Sequence, residues 1–208
     1  MKTYSIKKIN NEAEITKCEL FEIKDFQWMA KRKPYTKGRV GYIEARGLYI
    51  EMETEETDTI VTHHNDREMV CDDSAMEVFA AFPSDGRRPE STDVPYFNFE
   101  INAEGCMYAK FGRSRKERAF LSDEAYDMAN VETIQTEDGW KLCFYIPESC
   151  IVEKLGYNPF SGEQIFYMNF YKIAQNEEII HFGAFNHIES EHPDFHRPQD
   201  FAEVRITE

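Results

Sequence analysis

PYFNFEINAEG, residues 95–105, alternates as a β-strand does, and neither of its two faces is plainly meant for solvent. A strand sends successive side chains to opposite sides of its sheet. Phe97, Phe99 and Ile101 therefore form one face, apolar and suited to a core, while Tyr96, Asn98, Glu100 and Asn102 form the other. The division recurs in IFYMNFYKI, residues 165–173, where Phe166, Met168 and Phe170 oppose Tyr167, Asn169 and Tyr171. In DDSAMEVF, residues 72–79, Glu77 and Phe79 oppose Met76 and Val78. WKLCFYI, residues 140–146, is simpler: Trp140, Leu142, Phe144 and Ile146 form an unbroken buried face, each large side chain contributing ~1.5–3 kcal/mol.

Working outward, strand-like runs recur at residues 3–9, 38–45, 47–54, 75–82, 96–103, 106–111, 131–137, 140–146, 165–174, 178–183 and 202–207. The turn-forming stretches ARG, PSDGRRPE, NAEG, EDG and GYNPFSGE punctuate them. Many short strands with such punctuation predict an all-β fold, an antiparallel β-sandwich of jelly-roll type. Two short helices interrupt the pattern. SDEAYDMAN (122–130) opens on a Ser cap, and PESCIVEKLG (147–156) has Pro at its start and Gly at its end. Residues 1–208 form one domain on this reading, since no repeat, linker or low-complexity tract divides them.

Composition narrows the function. The 24 Lys and Arg against 39 Asp and Glu give a net charge of −15, which repels phosphate backbones and anionic lipid heads. Nucleic acid and membrane are therefore poor partners, whereas neutral polar ligands, whose hydroxyls need acceptors, are suited. Five cysteines without a C-x-x-C pair signal neither a disulfide framework nor a thiolate zinc site, and are read as free buried thiols. The opening residues lack the apolar run of a secretory leader, so the chain as it stands is expected in the cytoplasm, or outside the cell if it was trimmed from a precursor.

Polar side chains interleaved with tyrosines can be a merely solvated sheet face. Repeated on several strands, they pair the donors and acceptors of Asn and Glu with flat aromatic platforms. Sugars present both kinds of surface, hydroxyl edges and apolar ring faces, and a carbohydrate is the ligand expected.

CDDSAMEVFAAF (71–82), YFNFEINAEG (96–105), GWKLCFYIP (139–147), NFYKI (169–173), HFGAFNH (181–187) and PDFHRPQDFAEVRI (193–206) occur in that order. Together they resemble the family 9 carbohydrate-binding modules and the family 9-like domains found beside glycoside hydrolases. The resemblance implies a non-catalytic antiparallel sandwich that holds sugar ends between aromatic side chains, with structural calcium and a glycoside hydrolase as partner. It makes Glu77 and Asn98 the leading polar contacts and Glu100 and Asn169 next, while alternation sets Tyr96, Tyr167 and Tyr171 on the same face as candidate contacts. Members that bind sugars well clamp the ring between two tryptophans. Cys71 stands at the first of these positions here and Phe185 is the candidate for the second, and a cysteine cannot stack. Members also often carry an Arg shortly before the Asn-Phe-Tyr, where this chain has Tyr167.

Four alternatives stand beside this one. Glu77 and Glu100 could be an acid/base pair for glycoside hydrolysis, which needs carboxyls ~5–9.5 Å apart. His181, His187, His192 and His196 invite a metal reading, although Pro193 denies HPDFH the helix that would converge its two histidines. The run FGRSRKER (111–118) is a solvated loop or, through Arg113, a rim contact for an acidic sugar or a neighbouring domain. An interaction or scaffold domain that kept the fold and lost its ligand is the rival at the level of function.

Overall fold

Both faces of residues 95–102 are buried in the computed structural model, which describes residues 2–162 and 165–208. Glu163, the last residue of the predicted GYNPFSGE turn, lies outside the described residues. In chain order the elements are β1 (Thr3–Lys8), β2 (Phe21–Ile23), β3 (Asp25–Phe26), β4 (Thr36–Ile43), β5 (Gly47–Thr54), β6 (Ala75–Ala81), β7 (Pro95–Asn102), β8 (Met107–Arg113) and β9 (Glu117–Phe120). There follow α1 (Asp123–Ala129), β10 (Glu132–Gln135), β11 (Trp140–Pro147), α2 (Glu148–Leu155), β12 (Ile165–Ala174), β13 (His181–Ala184) and β14 (Ala202–Thr207). None of the helices formed by the described residues is long and apolar enough to cross a membrane.

The strands form one curled sheet in the order β10-β11-β5-β4-β1-β14-β12-β6-β7-β8-β9, with β2 on β4 and β13 bridging β12 and β3. Folded over, it makes two layers, β10 to β1 and β14 to β9. The core lies between them, filled by Leu48, Ile50 and Met52 of β5 and Leu142, Phe144 and Ile146 of β11 on one side. Val78 of β6, Phe97 and Phe99 of β7 and Phe166, Met168 and Phe170 of β12 fill it from the other. Phe99 and Phe144 meet across the gap with ring centroids 5.9 Å apart.

The predicted antiparallel sandwich needs one correction, because the sheet is mixed. β1 runs parallel to both of its neighbours, pairing Lys7 with Gly41 of β4 and Tyr4 with Val204 of β14. Alternation gives a strand's faces but not its direction, and only a tight hairpin forces antiparallel pairing. β1 has no hairpin to either partner, so its direction is invisible to that pattern. The two predicted helices are present, capped by the Ser122 hydroxyl, which accepts from Ala125 N at 3.3 Å, and by Gly156 in the left-handed region at φ 76°. All five cysteines are free.

A second, smaller apolar cluster covers the outer face of β6 and β12. Phe79, Tyr96, Tyr171 and Phe182 pack there beneath Ile188, Phe195 and Phe201 of the late irregular segment. The face expected to carry the ligand is therefore roofed over much of its length, with an opening over Glu77 and Glu100.

Candidate functional site

β6 and β7 pair antiparallel with Glu77 directly opposite Glu100. Both side chains point to the outer face and form the floor of a pocket of about 700 Å³ of empty volume, its mouth included. Three elements raise its walls: Cys71 from the helical turn Val70–Asp72, Phe182, Phe195 and His196 from β13 and the late segment, and Lys110, Arg115 and Arg118 from β8, β9 and the turn between them. Gly112, at φ +154°, lets that hairpin close, because a Cβ there would meet Glu117 O at 2.1 Å.

Two carboxyls side by side in a buried place cannot both ionise cheaply. Burial first, and the neighbouring Glu100 charge second, push Glu77 well above the usual carboxylate range. Burial likewise pushes Glu100 up to about 7, although the Asn98 amide, then Arg118, Arg115 and Lys110, hold it back. Near neutral pH the pair keeps a proton and offers one O–H donor beside its acceptor oxygens. His196, buried and facing Arg118, Arg115 and Lys110, is pushed down to about 3 and stays neutral.

The other predicted residues are distributed as follows. Asn98 is fully buried behind Glu100, its Nδ2 donating to Glu100 Oε1 at 2.7 Å and its Oδ1 accepting from Arg118 Nη2. Tyr96 is also fully buried, with Arg118 over its ring at 3.8 Å and its hydroxyl 2.8 Å from His196 Nδ1. Asn169 pins the late segment to β12: its Oδ1 accepts from Asn186 N at 2.9 Å and its Nδ2 donates to Asn186 O at 3.0 Å. Tyr171 stacks on Phe195 at 4.0 Å and so braces one pocket wall. Tyr167 donates to Gly86 O at 2.9 Å, away from the pocket. Phe185 is in the interlayer core, 5.6 Å from Phe170, and presents no stacking surface to the pocket. Arg113 is exposed and lies 3.8 Å from Asp93, outside the pocket. Of the nine residues, only Glu77 and Glu100 line the pocket.

Several lining residues escaped the sequence reading. Phe79, which parity had already placed on the face of Glu77, was not named as a contact. Lys110 and Arg118 come back over the pocket because β9 folds onto β8, pairing Lys110 with Phe120 and Gly112 with Arg118. Trp28 supports the aromatic wall from behind, edge-on to Phe182 at 5.5 Å, on a backbone in the left-handed region at φ 57°.

The calcium expectation and the metal reading of the late histidines find no fitting group of side chains among the described residues. Both oxygens of buried Asp73 are engaged by protein donors, Thr62 N at 2.9 Å and Thr62 Oγ1 at 2.7 Å on one, Asn102 Nδ2 at 2.9 Å and His63 N at 3.1 Å on the other. A carboxylate filled in this way has little left for a cation. Among the described residues no group of three or more His, Cys, Asp or Glu side chains is placed to hold an ion. The late histidines diverge: His181 Nδ1 meets Ile179 O, His187 Nδ1 meets Asp25, and His196 meets Tyr96.

The chain is thus a jelly-roll-like β module of mixed sheet with a polar pocket on the outer face of one layer. The model of carbohydrate-binding family 9 matches residues 7–206, and the chain belongs to that family. No curated protein matches it by sequence. Among solved structures it is similar to a candidate carbohydrate-binding protein from Bacteroides uniformis, at 20% identity and TM-score 0.83 over 99% of each chain. It is also similar to a family 9 module from Caldicellulosiruptor kristjanssonii in complex with cellotriose, at 10% identity and TM-score 0.70 over 99% of this chain and 93% of that one. The same organism's module in complex with glucose matches at 11% identity and TM-score 0.70 over 99% and 96%. At these identities the likeness is one of fold.

Proposed function

We propose that the pocket over Glu77 and Glu100 binds a saccharide and releases it unchanged. The observation that carries the reading is the directly opposed carboxyl pair on the floor of an open pocket. One protonated and one ionised carboxyl together donate to and accept from vicinal hydroxyls, and Phe79, Phe182 and Phe195 supply apolar surface for a ring face. Membership of the family and the sugar complexes of its structural neighbours support the same ligand class. Release without turnover rests on membership of a carbohydrate-binding family. A glycoside hydrolase acting on the same glycan is the partner this reading suggests, on family resemblance alone.

The rival scaffold reading draws on Phe185, which is packed in the core, and on Cys71, which lines the pocket but cannot stack. Calorimetric titration with glucose, xylose and cello-oligosaccharides separates the two. Sugar binding predicts heat that is lost in Glu77→Gln and Glu100→Gln variants that still fold. No heat at millimolar sugar from the folded protein overturns it in favour of the scaffold. Release of reducing sugar, abolished by Glu77→Gln, replaces it with hydrolysis.

A further inference from the structure

The chain as a whole is strongly acidic, yet one wall of the pocket is cationic. Lys110, Arg115 and Arg118 line it together, in a protein with 39 acidic residues against 24 Lys and Arg. Elsewhere its Lys and Arg side chains commonly reach carboxylates, as in Lys8–Glu44, Arg32–Asp58 and Lys141–Glu51. At the pocket the pairing fails. Among the described residues neither Lys110 nor Arg118 has a carboxylate oxygen within 4.0 Å, and Arg115 has only a loose approach to Asp194 at 3.7 Å.

Direct ion pairing does not account for their placement, although their charge favours the ionised form of Glu100. The Lys110 ammonium rests over the rings of Phe120 at 4.3 Å and Tyr108 at 4.7 Å, which orients it without neutralising it. The Arg118 guanidinium lies over Tyr96, donates to Asn98 Oδ1 and to the Tyr96 and Lys110 carbonyls, and keeps its Nε buried without a partner. The side chain of Arg115 is 62% exposed at the mouth. The floor does not cancel this wall, since two abutting buried carboxyls retain a proton between them. Three cations then face one carboxylate of the pair and Asp194, which leaves the pocket positive. A neutral hexose has no use for such a field, whereas an anionic substituent forms charge-assisted hydrogen bonds to it.

Resting on the sugar-binding reading above, we infer that the pocket selects an anionic saccharide, its carboxylate or sulfate ester held by Lys110 and Arg115 at the mouth while its hydroxyls meet Glu77 and Glu100.

Calorimetric titration of the full chain with glucose, glucuronate and glucose 6-sulfate at low and high salt tests this. The inference expects a charged ligand to bind about tenfold or more tightly than glucose at low salt, as one charge-assisted contact supplies. That advantage shrinks at high salt, because the mouth is screened. In Lys110→Gln/Arg115→Gln, with melting behaviour checked, the ratio of the two affinities falls towards one. Preference for glucuronate alone assigns the contact to a carboxylate, and preference for the sulfate alone to a sulfate ester; either supports the inference. Glucose binding as tightly as both charged sugars overturns it and leaves the sugar-binding reading standing. Absence of heat from all three ligands overturns both.

Discussion

Glu77 and Glu100 face each other in register across β6 and β7, both buried and neither in a salt bridge among the described residues. Their cost to the fold depends on pH. Glu100 ordinarily titrates near 4.5 and is raised to about 7 in the folded chain, so between those values the native state binds more protons than the unfolded one. Stability from this pair is therefore greatest below about pH 4.5 and declines as pH rises through 7. Glu77→Gln removes one carboxyl and lets the other relax. It should stabilise the protein by about 2 kcal/mol at pH 8, with the gain fading near pH 5. Urea unfolding at the two pH values measures it, and equal gains at both would contradict the shared-proton account.

His181 and His196 work in the opposite direction. Burial first, and then Lys172 beside the one and Arg118, Arg115 and Lys110 beside the other, push both down to about 3. The unfolded chain therefore takes up protons below pH 6.5 that the folded chain refuses, and stability is lost as pH falls from 6.5 towards 3. Against the carboxyl pair alone, wild type should show a shallow maximum in the mildly acidic range. Glu77→Gln, relieved of the opposing slope, should have its thermal midpoint maximum shifted to higher pH.

Lys172 and Glu56 form an ion pair at 3.0 Å inside the fold, with Trp140 Nε1 donating to the same Glu56 oxygen at 3.2 Å. Burial opposes the charge on Glu56, and Lys172 reverses that and holds its carboxyl below the usual range. Lys172→Met strands the carboxylate and should cost roughly 3–5 kcal/mol, whereas Lys172→Met with Glu56→Leu should cost much less. Chemical denaturation of the two variants decides the point.

Phe185 and Phe195 separate packing from the pocket. Phe185→Ala opens a void in the interlayer core and should cost about 3–5 kcal/mol while leaving the pocket wall in place. Phe195→Ala removes the ring that stacks on Tyr171 and lines the pocket, so it should weaken saccharide binding as well as stability. Calorimetric titration run beside thermal melts separates the two losses.

Asn98 reaches the pocket only through Glu100, and its amide oxygen is held by Arg118. Asn98→Leu removes the amide that favours the ionised form of Glu100 and so should raise that group's titration further. The checkable outcome is a shift towards alkaline pH in the carboxyl titration followed by NMR, which mere loosening of the strand would not produce.

Much of this architecture was legible because its signal is local. Alternation placed β6, β7, β11 and β12 and assigned the faces of Phe97, Phe166 and Trp140, and the Ser122 and Gly156 caps bounded both helices. β2 and β3 are too short to show a period, and β9 was hidden in a basic run read as a loop. The site was half legible for the same reason. Parity brought Glu77, Asn98 and Asn169 to one face, but register decides which of them adjoin, and the late segment decides which stay open. That segment has no period, and it seals Asn169 beneath Asn186 while leaving Glu77 and Glu100 at an opening.

The hydrogen-bonded ladder runs directly from one layer into the other where β1 lies against β14. β1 thus has its mate far along the chain, and this seam stays unstitched until the two meet. Slow closure, with an exposed strand edge waiting meanwhile, is the kinetic signature to expect of such a molecule.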